Sequence, residues 1–173
     1  MAGKEIQVLT IYLAAPLFTQ AEQRWNLELK TAIEKMSRGK ASVTLPQVEA
    51  KKFIAGEKIN FDGIVQACVE GLKTHAAVVA ILDGADPDSG TSFEVGYAAA
   101  YRKTQSSRPI VIIGVRTDFR ASGEDSKTGV NAMFRLCDEI VYFPPFDLNI
   151  ENLAQKIIQA IILALQKHSA RLT

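Results

Sequence analysis

The chain has 173 residues, of which 47% are hydrophobic and 23% are charged, as is typical of a globular protein. This length suffices for a substantial core, and we predict a single domain over residues 1–173. The formal net charge is +1 and no basic run exceeds two residues. That balance excludes the electrostatic footprint of a nucleic-acid-binding protein, so no nucleic acid is expected as a partner.

The few cysteines and histidines argue against disulfide and metal chemistry. Cys68 and Cys137 lack the pattern of a disulfide framework and indicate a reducing compartment, from which we predict a cytoplasmic protein. His75 and His168 have no His or Cys partner at ligand spacing, so we predict no zinc site.

Two apolar segments imitate targeting or membrane elements. Residues 8–18 follow Lys4 as in a signal peptide, but a strong basic start is missing and a helical pattern follows directly. We interpret them as a first strand and its loop. Residues 157–165 are far shorter than the ~20 residues that a bilayer span requires, so no association with a membrane is expected.

The first part of the chain predicts two strands that flank a helix. Residues 6–14 are rich in β-branched and aromatic side chains, as in a buried strand. Thr19 followed by Glu22 is a capping-box pattern, and the apolar period of the next helix stops at residues 38–40. Residues 43–45 predict a short second strand.

A loop over residues 46–59 follows, and its length of about fourteen residues favours a functional lid over a plain connection. Phe53 and Phe61 lie in or beside it. They either fill a gap under the loop or stack on a planar ligand, and the sequence leaves both interpretations open.

The remainder continues the alternation, and its third strand is a continuous apolar run of the kind buried on both faces of a parallel sheet. The predicted elements are helices at 62–75, about 91–103, 129–137 and 150–167, strands at 76–82, 109–115 and 139–143, and a polar segment at 116–127.

About five alternations of strand and helix imply right-handed crossovers. We predict an α/β fold, a doubly wound, flavodoxin- or Rossmann-like sheet of about five parallel strands with helices on both faces. Ligands bind such sheets at the carboxyl ends of the strands, near the switch in strand order. Two segments qualify, residues 12–18 after the first strand and residues 83–98 after the third.

The segment after the third strand carries four carboxylates, and no Lys or Arg accompanies them before Arg102. Crowded carboxylates repel one another, so at least one is expected to have a raised pKa. This unfavourable arrangement points to a site that requires acids. The four are Asp83, Asp86, Asp88 and Glu94.

Structural explanations of the same segment stay open. Residues 86–90 have turn chemistry, and Thr91 with Glu94 matches a capping box in which Glu94 only satisfies the helix start. A calcium loop is excluded because the acids do not alternate as its ligands do. Gly90 and Thr91 at a helix N-terminus would suit an anion, but the preceding acids oppose one.

The functional interpretation makes Glu94 a nucleophile. Retaining glycosyl transfer needs a carboxylate that attacks the anomeric carbon, together with a group that assists the leaving group. Asp83 and Asp88 are candidates for supporting roles. Tyr12, at the end of the neighbouring strand, could hydrogen-bond Glu94 and orient it.

Three segments together resemble the nucleoside 2-deoxyribosyltransferase family in order and spacing. They are IYLAAPLF at residues 11–18, DSGTSFEVGYA at 88–98 and VNAM at 130–133, and the resemblance covers roughly residues 6–145. Gly90, within the second segment, is counted among the substrate-binding candidates.

The resemblance implies a role for each matching residue. Glu94 forms a covalent deoxyribosyl-enzyme, and Tyr12 positions it. Asp88 and Asn131 hold the 5′-hydroxyl of the sugar, with Asn131 donated by a neighbouring subunit, and Phe18 lines the base site. The resemblance therefore implies a homo-oligomer, at least a dimer, with shared active sites.

One position departs from the family pattern, because Cys68 stands where an Asp is expected on the helix before the third strand. A thiol is a poor substitute for a carboxylate near neutral pH. Asp83 or another acid is expected to take over the task, and the proton donor to the leaving base stays open.

The resemblance implies transfer of 2-deoxyribose between purine or pyrimidine bases of 2′-deoxynucleosides, with retention, in nucleoside salvage and without a cofactor. A sister group hydrolyses 2′-deoxynucleoside 5′-monophosphates, but Asp88 would repel a phosphate and accept a hydrogen bond from a neutral 5′-hydroxyl. Nucleosides and free bases are therefore the expected partners. A nucleoside or nucleotide hydrolase and a non-catalytic sensing module are the alternatives.

Overall fold

The computed structural model describes residues 8–105, 110–118 and 129–170, which form a parallel sheet flanked by helices and a small antiparallel hairpin. The strands are β1 (Leu9–Ala14), β2 (Ala41–Thr44), β3 (Ile54–Ala55), β4 (Lys58–Ile59), β5 (Ala77–Ile81), β6 (Val111–Arg116) and β7 (Glu139–Tyr142). The helices are α1 (Gln20–Met36), α2 (Pro46–Glu49), α3 (Phe61–Thr74), α4 (Ser89–Thr104) and α5 (Ile150–Ala170), with 3₁₀ helices at Ala50–Phe53 and Ala132–Leu136.

The main sheet has five strands in the order β2-β1-β5-β6-β7, and every neighbouring pair is parallel. This is the flavodoxin-like order of a doubly wound sheet, which confirms the predicted fold. The switch in strand order lies between β1 and β5. Their carboxyl ends therefore border the crevice in which such folds bind ligands.

Hydrophobic clusters cover both faces of the sheet. Ile11 and Leu13 of β1 belong to the cluster built with α1 and α5, whereas Tyr12 and Ala14 belong to the cluster built with α3 and α4. Side chains alternate between the two faces along a strand, which explains this division. Tyr12 therefore lies on the face of the sheet that α3 and α4 cover.

Both ends of α1 agree with the sequence prediction. The Glu22 amide donates to Thr19 Oγ1 at 3.2 Å, and the Thr19 amide donates to Glu22 Oε2 at 2.7 Å, which confirms the capping box. After the helix, Arg38 and Gly39 have φ values of 55° and 72°. Gly39 adopts this left-handed conformation without a steric penalty, so the chain turns away from the helix there.

The start of α4 differs from the prediction. The helix begins at Ser89 instead of Thr91, because Asp88 is its N-cap and its Oδ2 accepts the Thr91 amide at 2.9 Å. The predicted capping box between Thr91 and Glu94 is therefore wrong. Glu94 lies in the second turn of the helix and makes a different contact.

Residues 46–59, predicted to be a loop that acts as a lid, instead form α2, a 3₁₀ helix and the β3–β4 hairpin, elements too short to give a clear periodic pattern in the sequence. Phe53 is half-buried, and its ring lies so close to Gly63 that a Cβ added there would collide with it. Phe53 thus fills a gap under the segment, as one of the two interpretations predicted. Phe61 is 69% exposed beside it.

The other predicted elements are present with shifted boundaries. β6 extends through Arg116, the first residue of the predicted polar segment, and Ala132–Leu136 is a 3₁₀ helix within the short helix expected at 129–137. The parts of these predictions that fall on residues 6–7, 109 and 119–127 lie outside the described residues. In the described part, no helix is both long and apolar enough to cross a membrane.

Candidate active site

Tyr12 and Glu94 meet near the switch in strand order, although 82 positions separate them in the chain. Tyr12 comes from β1 and Glu94 from α4. The Tyr12 hydroxyl donates a hydrogen bond to Glu94 Oε1 at 2.5 Å. The predicted hydrogen bond is therefore present, while the catalytic roles of the two residues stay predictions.

Tyr12 is confined on several sides. It is 1% exposed, and a Cβ added to Gly71 of α3 would lie 2.7 Å from its ring. The His75 ring packs edge to face against it, with 6.0 Å between the centroids. Burial, aided by the charge of Glu94, raises the pKa of Tyr12 far above its usual value. Tyr12 is therefore a fixed hydroxyl donor that keeps its proton at neutral pH.

Glu94 has an unusual protonation equilibrium. Burial raises its pKa to about 7, the hydrogen bond from Tyr12 opposes this rise, and the charge of Asp88 adds to it. This agrees with the expectation that one of the crowded acids has a raised pKa. Near neutral pH Glu94 is divided between its neutral and ionised forms, a property common among catalytic carboxylates.

Asp88 uses one carboxylate oxygen to hold α4. Its Oδ2 accepts the Thr91 amide at 2.9 Å and the Thr91 hydroxyl at 3.3 Å, whereas Oδ1 has no hydrogen-bond partner among the described residues. A Cβ added to Gly90 would lie 3.1 Å from Oδ2. A side chain at position 90 would therefore crowd the Asp88 carboxylate.

Asp83 makes structural hydrogen bonds, while its predicted catalytic role stays a prediction. It accepts hydrogen bonds from the Thr117 amide at 2.6 Å, from the Thr117 hydroxyl, and from the Asp118 amide at 3.2 Å. No hydrogen bond or ion pair joins Asp83 to Glu94 within the described residues. The carboxylate links the ends of β5 and β6, and its contacts give no support to a role in proton handling.

Arg116, which no sequence pattern singled out, strengthens this link. The side chain is 1% exposed and donates to the carbonyls of Leu82 at 2.7 Å and Gly84 at 3.0 Å. It also lies 3.0 Å from the carboxylate of Asp118, which accepts the Gly84 amide at 2.6 Å. These contacts fix the start of the segment that leads to Asp88. A charged residue at the end of an apolar strand was the available signal.

Asn131 lies on the side of α4 away from Glu94. It caps the second 3₁₀ helix by accepting the Met133 amide at 2.9 Å, and it lines a cavity of about 280 Å³ together with Ser92 and Gly96. Positions two residues before or after Glu94 are rotated by roughly 160° around a helix. One chain therefore does not bring Asn131 to its own Glu94.

Exposed phenylalanines border the carboxyl edge of the sheet. Phe18 follows β1 and is 76% exposed, while Phe61 and Phe93, at the starts of α3 and α4, are each 69% exposed. Large exposed apolar rings close to a crevice suit contact with a ligand or with another protein surface. The predicted place of Phe18 at the base site is compatible with this position.

Cys68 of α3 lies beside the Tyr12–Glu94 pair. It is half-buried and packs against the same hydrophobic cluster as Tyr12. Burial raises the pKa of the thiol, Tyr12 opposes this rise, and the charge of Glu94 adds to it. The residue that departs from the family pattern is therefore a neutral thiol next to the candidate nucleophile.

The fold and the Tyr12–Glu94 pair define an α/β protein with a carboxylate-based site at the edge of its sheet. Within the three described ranges, no group of three or more His, Cys, Asp or Glu side chains is placed to hold a metal ion. The chain belongs to the nucleoside 2-deoxyribosyltransferase family, which it matches over residues 11–133. That range contains Tyr12, Cys68, Glu94 and Asn131.

Several solved structures share the fold. A conserved protein from Enterococcus faecalis V583 is 25% identical, with a TM-score of 0.66 over 88% of this chain and 98% of that one. The 2-deoxyribosyltransferase from Bacillus psychrosaccharolyticus is 20% identical, with a TM-score of 0.52 over 83% and 90% of the two chains. The enzyme from Leishmania mexicana is 20% identical, with a TM-score of 0.53 over 85% and 97%. No curated protein matches the sequence.

Proposed function

We propose that the protein transfers 2-deoxyribose between the bases of 2′-deoxynucleosides through a covalent intermediate on Glu94. The observation that carries the proposal is the 2.5 Å hydrogen bond between Tyr12 and Glu94, inside the segment that matches the family. This bond holds Oε1 of Glu94. Oε2 has no hydrogen-bond partner among the described residues and is available to a substrate.

The reaction is a double displacement. The ionised Oε2 of Glu94 forms a bond to C1′ while the bond from C1′ to the base nitrogen breaks, and the electron pair leaves with the base, which takes up a proton from solvent. A ring nitrogen of a second base then attacks C1′ and releases its proton to solvent, while the bond to Oε2 breaks. Two inversions give net retention, as in retaining glycosidases. Water in place of the second base gives slow hydrolysis.

Asp88 favours a 5′-hydroxyl over a 5′-phosphate. Its Oδ1 can accept a hydrogen bond from a neutral hydroxyl. A phosphate carries close to two negative charges, and no Lys or Arg of the described chain forms an ion pair with Asp88. We therefore propose nucleosides as substrates. A higher kcat/KM for deoxynucleoside monophosphates would contradict this choice.

A second copy of the chain supplies Asn131 in this proposal, because Asn131 is on the far side of α4 from its own Glu94. Phe93, Gly96 and Ala100 are exposed along one stripe of α4, and Met133 nearby is 68% exposed. An apolar stripe of this spacing suits burial against another surface. We propose a homo-oligomer, at least a dimer, that covers this stripe and brings Asn131 to the partner's site.

The cellular setting follows from the same chemistry. Exchange of bases on 2′-deoxynucleosides serves nucleoside salvage. Cys68 and Cys137 are both free thiols, which supports a reducing, cytoplasmic compartment.

Base exchange tests the function directly. The protein is incubated with deoxyinosine and free adenine, and the formation of deoxyadenosine is measured. We expect exchange in the parent, none in Glu94→Ala, and parental exchange in Glu70→Ala, which removes an exposed glutamate from α3.

Three other outcomes would contradict the assignment of Glu94 or the proposed transfer reaction. Undiminished exchange in Glu94→Ala would overturn the assignment of the nucleophile. Steady release of free deoxyribose without deoxyadenosine would identify a hydrolase. Binding of deoxyinosine without either product would identify a sensing module.

A further inference from the structure

We infer that a cavity on the α1 side of the sheet is a second binding site, which takes a small aromatic amine in its protonated form. The cavity has a volume of about 470 Å³ and lies between α1 and the chain that follows β1, β5 and β6. Ile81 and Trp25 line it and belong to or pack against the cluster under α1 and α5, whereas Tyr12 belongs to the cluster on the other face. The inference therefore does not depend on the function proposed for Glu94.

Asn26 has a fixed orientation beside this cavity. The side chain is 3% exposed, and its Nδ2 donates to the carbonyl of Pro16 and to Oε1 of Gln47, both at 2.9 Å. A carbonyl only accepts, so the amide nitrogen of Asn26 must face Pro16. The Gln47 amide donates in turn to the Gln23 carbonyl at 2.9 Å, which agrees with this orientation.

The amide oxygen of Asn26 is left for a ligand. Oδ1 has no hydrogen-bond partner among the described residues, and no fully enclosed side-chain nitrogen or oxygen atom in the described ranges lacks one. Oδ1 must therefore keep accessible surface, and the surface that Asn26 borders is the cavity. Buried acceptors are normally paired, because an acceptor without a donor costs free energy. A ligand that donates an N–H or O–H group to Oδ1 gains this hydrogen bond.

The charges of the lining select a cation among such donors. Glu22 and Asp83 contribute two carboxylates, and no Lys or Arg of the described chain lines the cavity. Oε2 of Glu22 accepts the amides of Phe18 and Thr19, while Oε1 has no hydrogen-bond partner among the described residues. Trp25 is half-buried, and indole is the side chain that attracts cations best. An ammonium group on an aromatic body matches the acceptor, the charge and the indole together.

One feature beside the cavity, the N-terminus of α1, favours an anion. Its capping box already occupies amides of this first turn, since Thr19 donates to Glu22 Oε2 at 2.7 Å and Glu22 donates to Thr19 Oγ1 at 3.2 Å. An anion would also meet the carboxylates of Glu22 and Asp83. The cavity is therefore better suited to a cation.

Trp25 is the single tryptophan of the sequence, so its fluorescence reports on this cavity. The full chain is titrated with benzylamine, which is protonated at neutral pH, under excitation selective for tryptophan. Benzyl alcohol, a neutral donor, and phenylacetate, an anion of similar shape, are titrated in the same way. We expect a saturable change with benzylamine, roughly tenfold weaker binding of benzyl alcohol and no saturable change with phenylacetate.

Two variants remove groups of the lining. Asn26→Leu removes Oδ1 at a similar side-chain volume and should weaken the binding of benzylamine by roughly tenfold. Glu22→Gln removes a charge but keeps the capping box, because glutamine also serves at this position, and should weaken binding by roughly threefold. Glu70→Gln, which changes an exposed glutamate of α3, is the matched control and should bind as the parent does. If Asn26→Leu does not fold, Glu22→Gln alone decides.

Four results would overturn the inference. The absence of a saturable response to benzylamine would show that only solvent meets Oδ1. Benzyl alcohol that binds as tightly as benzylamine would exclude selection of a cation, and phenylacetate that does so would identify an anion site at the start of α1. Parental affinity for benzylamine in Glu22→Gln or in folded Asn26→Leu would place the amine elsewhere, as in the cavity of about 330 Å³ that Trp25 also lines.

Discussion

Glu94 is subject to two opposing effects. Its burial disfavours the charged form, and the hydrogen bond from Tyr12 favours it. With a pKa of about 7, the carboxylate is neither a permanent anion nor a permanent acid. A nucleophile must be ionised, so kcat/KM for base exchange should rise as the pH increases through this region.

The raised pKa of Glu94 also predicts how stability depends on pH. The folded-state pKa of about 7 lies above the reference value of 4.5, so Glu94 contributes stability that is present below the reference value and lost as the pH rises through the folded-state value. Glu94→Gln removes this loss and keeps an acceptor for Tyr12. We expect the variant to be more stable than the parent by roughly 1–3 kcal/mol near pH 8, with a smaller difference near pH 5.

Urea unfolding at the two pH values, at equal protein concentration, measures this difference. Glu70→Gln removes an exposed carboxylate and should show no such gain at high pH. Unfolding free energies of parent and Glu94→Gln that change in parallel between the two pH values would contradict the raised pKa.

At the scale of the element, α4 sets the positions of two acids at once. Asp88 caps the helix and Glu94 lies in its second turn, so both are fixed relative to one rigid axis. The chain between β5 and this helix is itself held by hydrogen bonds of Asp83 and Arg116. Asp83 and Asp88 thus help to fix the position of Glu94, the acid proposed to react.

Asp88→Asn separates the charge of this residue from its cap. Asparagine also caps helices well, so stability should change little. The charge of Asp88 raises the pKa of Glu94, and its loss should move the acidic limb of kcat/KM to lower pH. KM for deoxyinosine should rise by about tenfold, because a charged acceptor is lost from the proposed 5′-hydroxyl site.

Asp86→Asn is the control, since it removes the same charge from an exposed residue of the preceding turn. It should leave both KM and the pH profile near the parental values. An acidic limb that does not move in Asp88→Asn would show that Asp88 exerts no electrostatic effect on Glu94.

At the scale of the whole molecule, one chain holds Glu94 and Asn131 on opposite sides of α4. Symmetric oligomers of identical chains can close this gap, because each copy offers its own Asn131 to a neighbour. The exposed stripe of Phe93, Gly96 and Ala100 marks the surface we propose for that contact. We therefore expect the complete site to form only in the proposed assembly.

Complementation tests this arrangement. Glu94→Ala and Asn131→Ala chains are co-refolded, and base exchange is measured. In a dimer with shared sites, half of the molecules are mixed and each mixed dimer has one intact site, so about a quarter of parental activity should return. A mixture of Glu94→Ala with Glu94→Gln has the same defect in every site and should stay inactive. Isolated mixed dimers without activity would contradict the donation of Asn131 by a partner.

Local patterns predicted the elements well where one pattern dominated. The continuous apolar runs indicated buried parallel strands, and Thr19 with Glu22 indicated the start of α1. The start of α4 was predicted incorrectly because Asp88 and Thr91 are both good N-cap residues, and only the backbone geometry distinguishes them. Sequence periodicity cannot distinguish two candidate N-cap residues that lie within a single turn of each other.

The amino-acid sequence by itself determined the order along the chain of the five main-sheet strands and the long helices, the α/β class and the presence of a carboxylate cluster after the third strand, but not the short elements between residues 46 and 59. These depend on local composition and periodicity, which each segment carries alone. Only the tertiary structure decided that Tyr12 donates a hydrogen bond to Glu94, that Asp83 binds the residues after β6, and that Asn131 lies on the side of α4 opposite Glu94. Such contacts join residues far apart in the chain, and they depend on strand order and on the crossing of helices over the sheet.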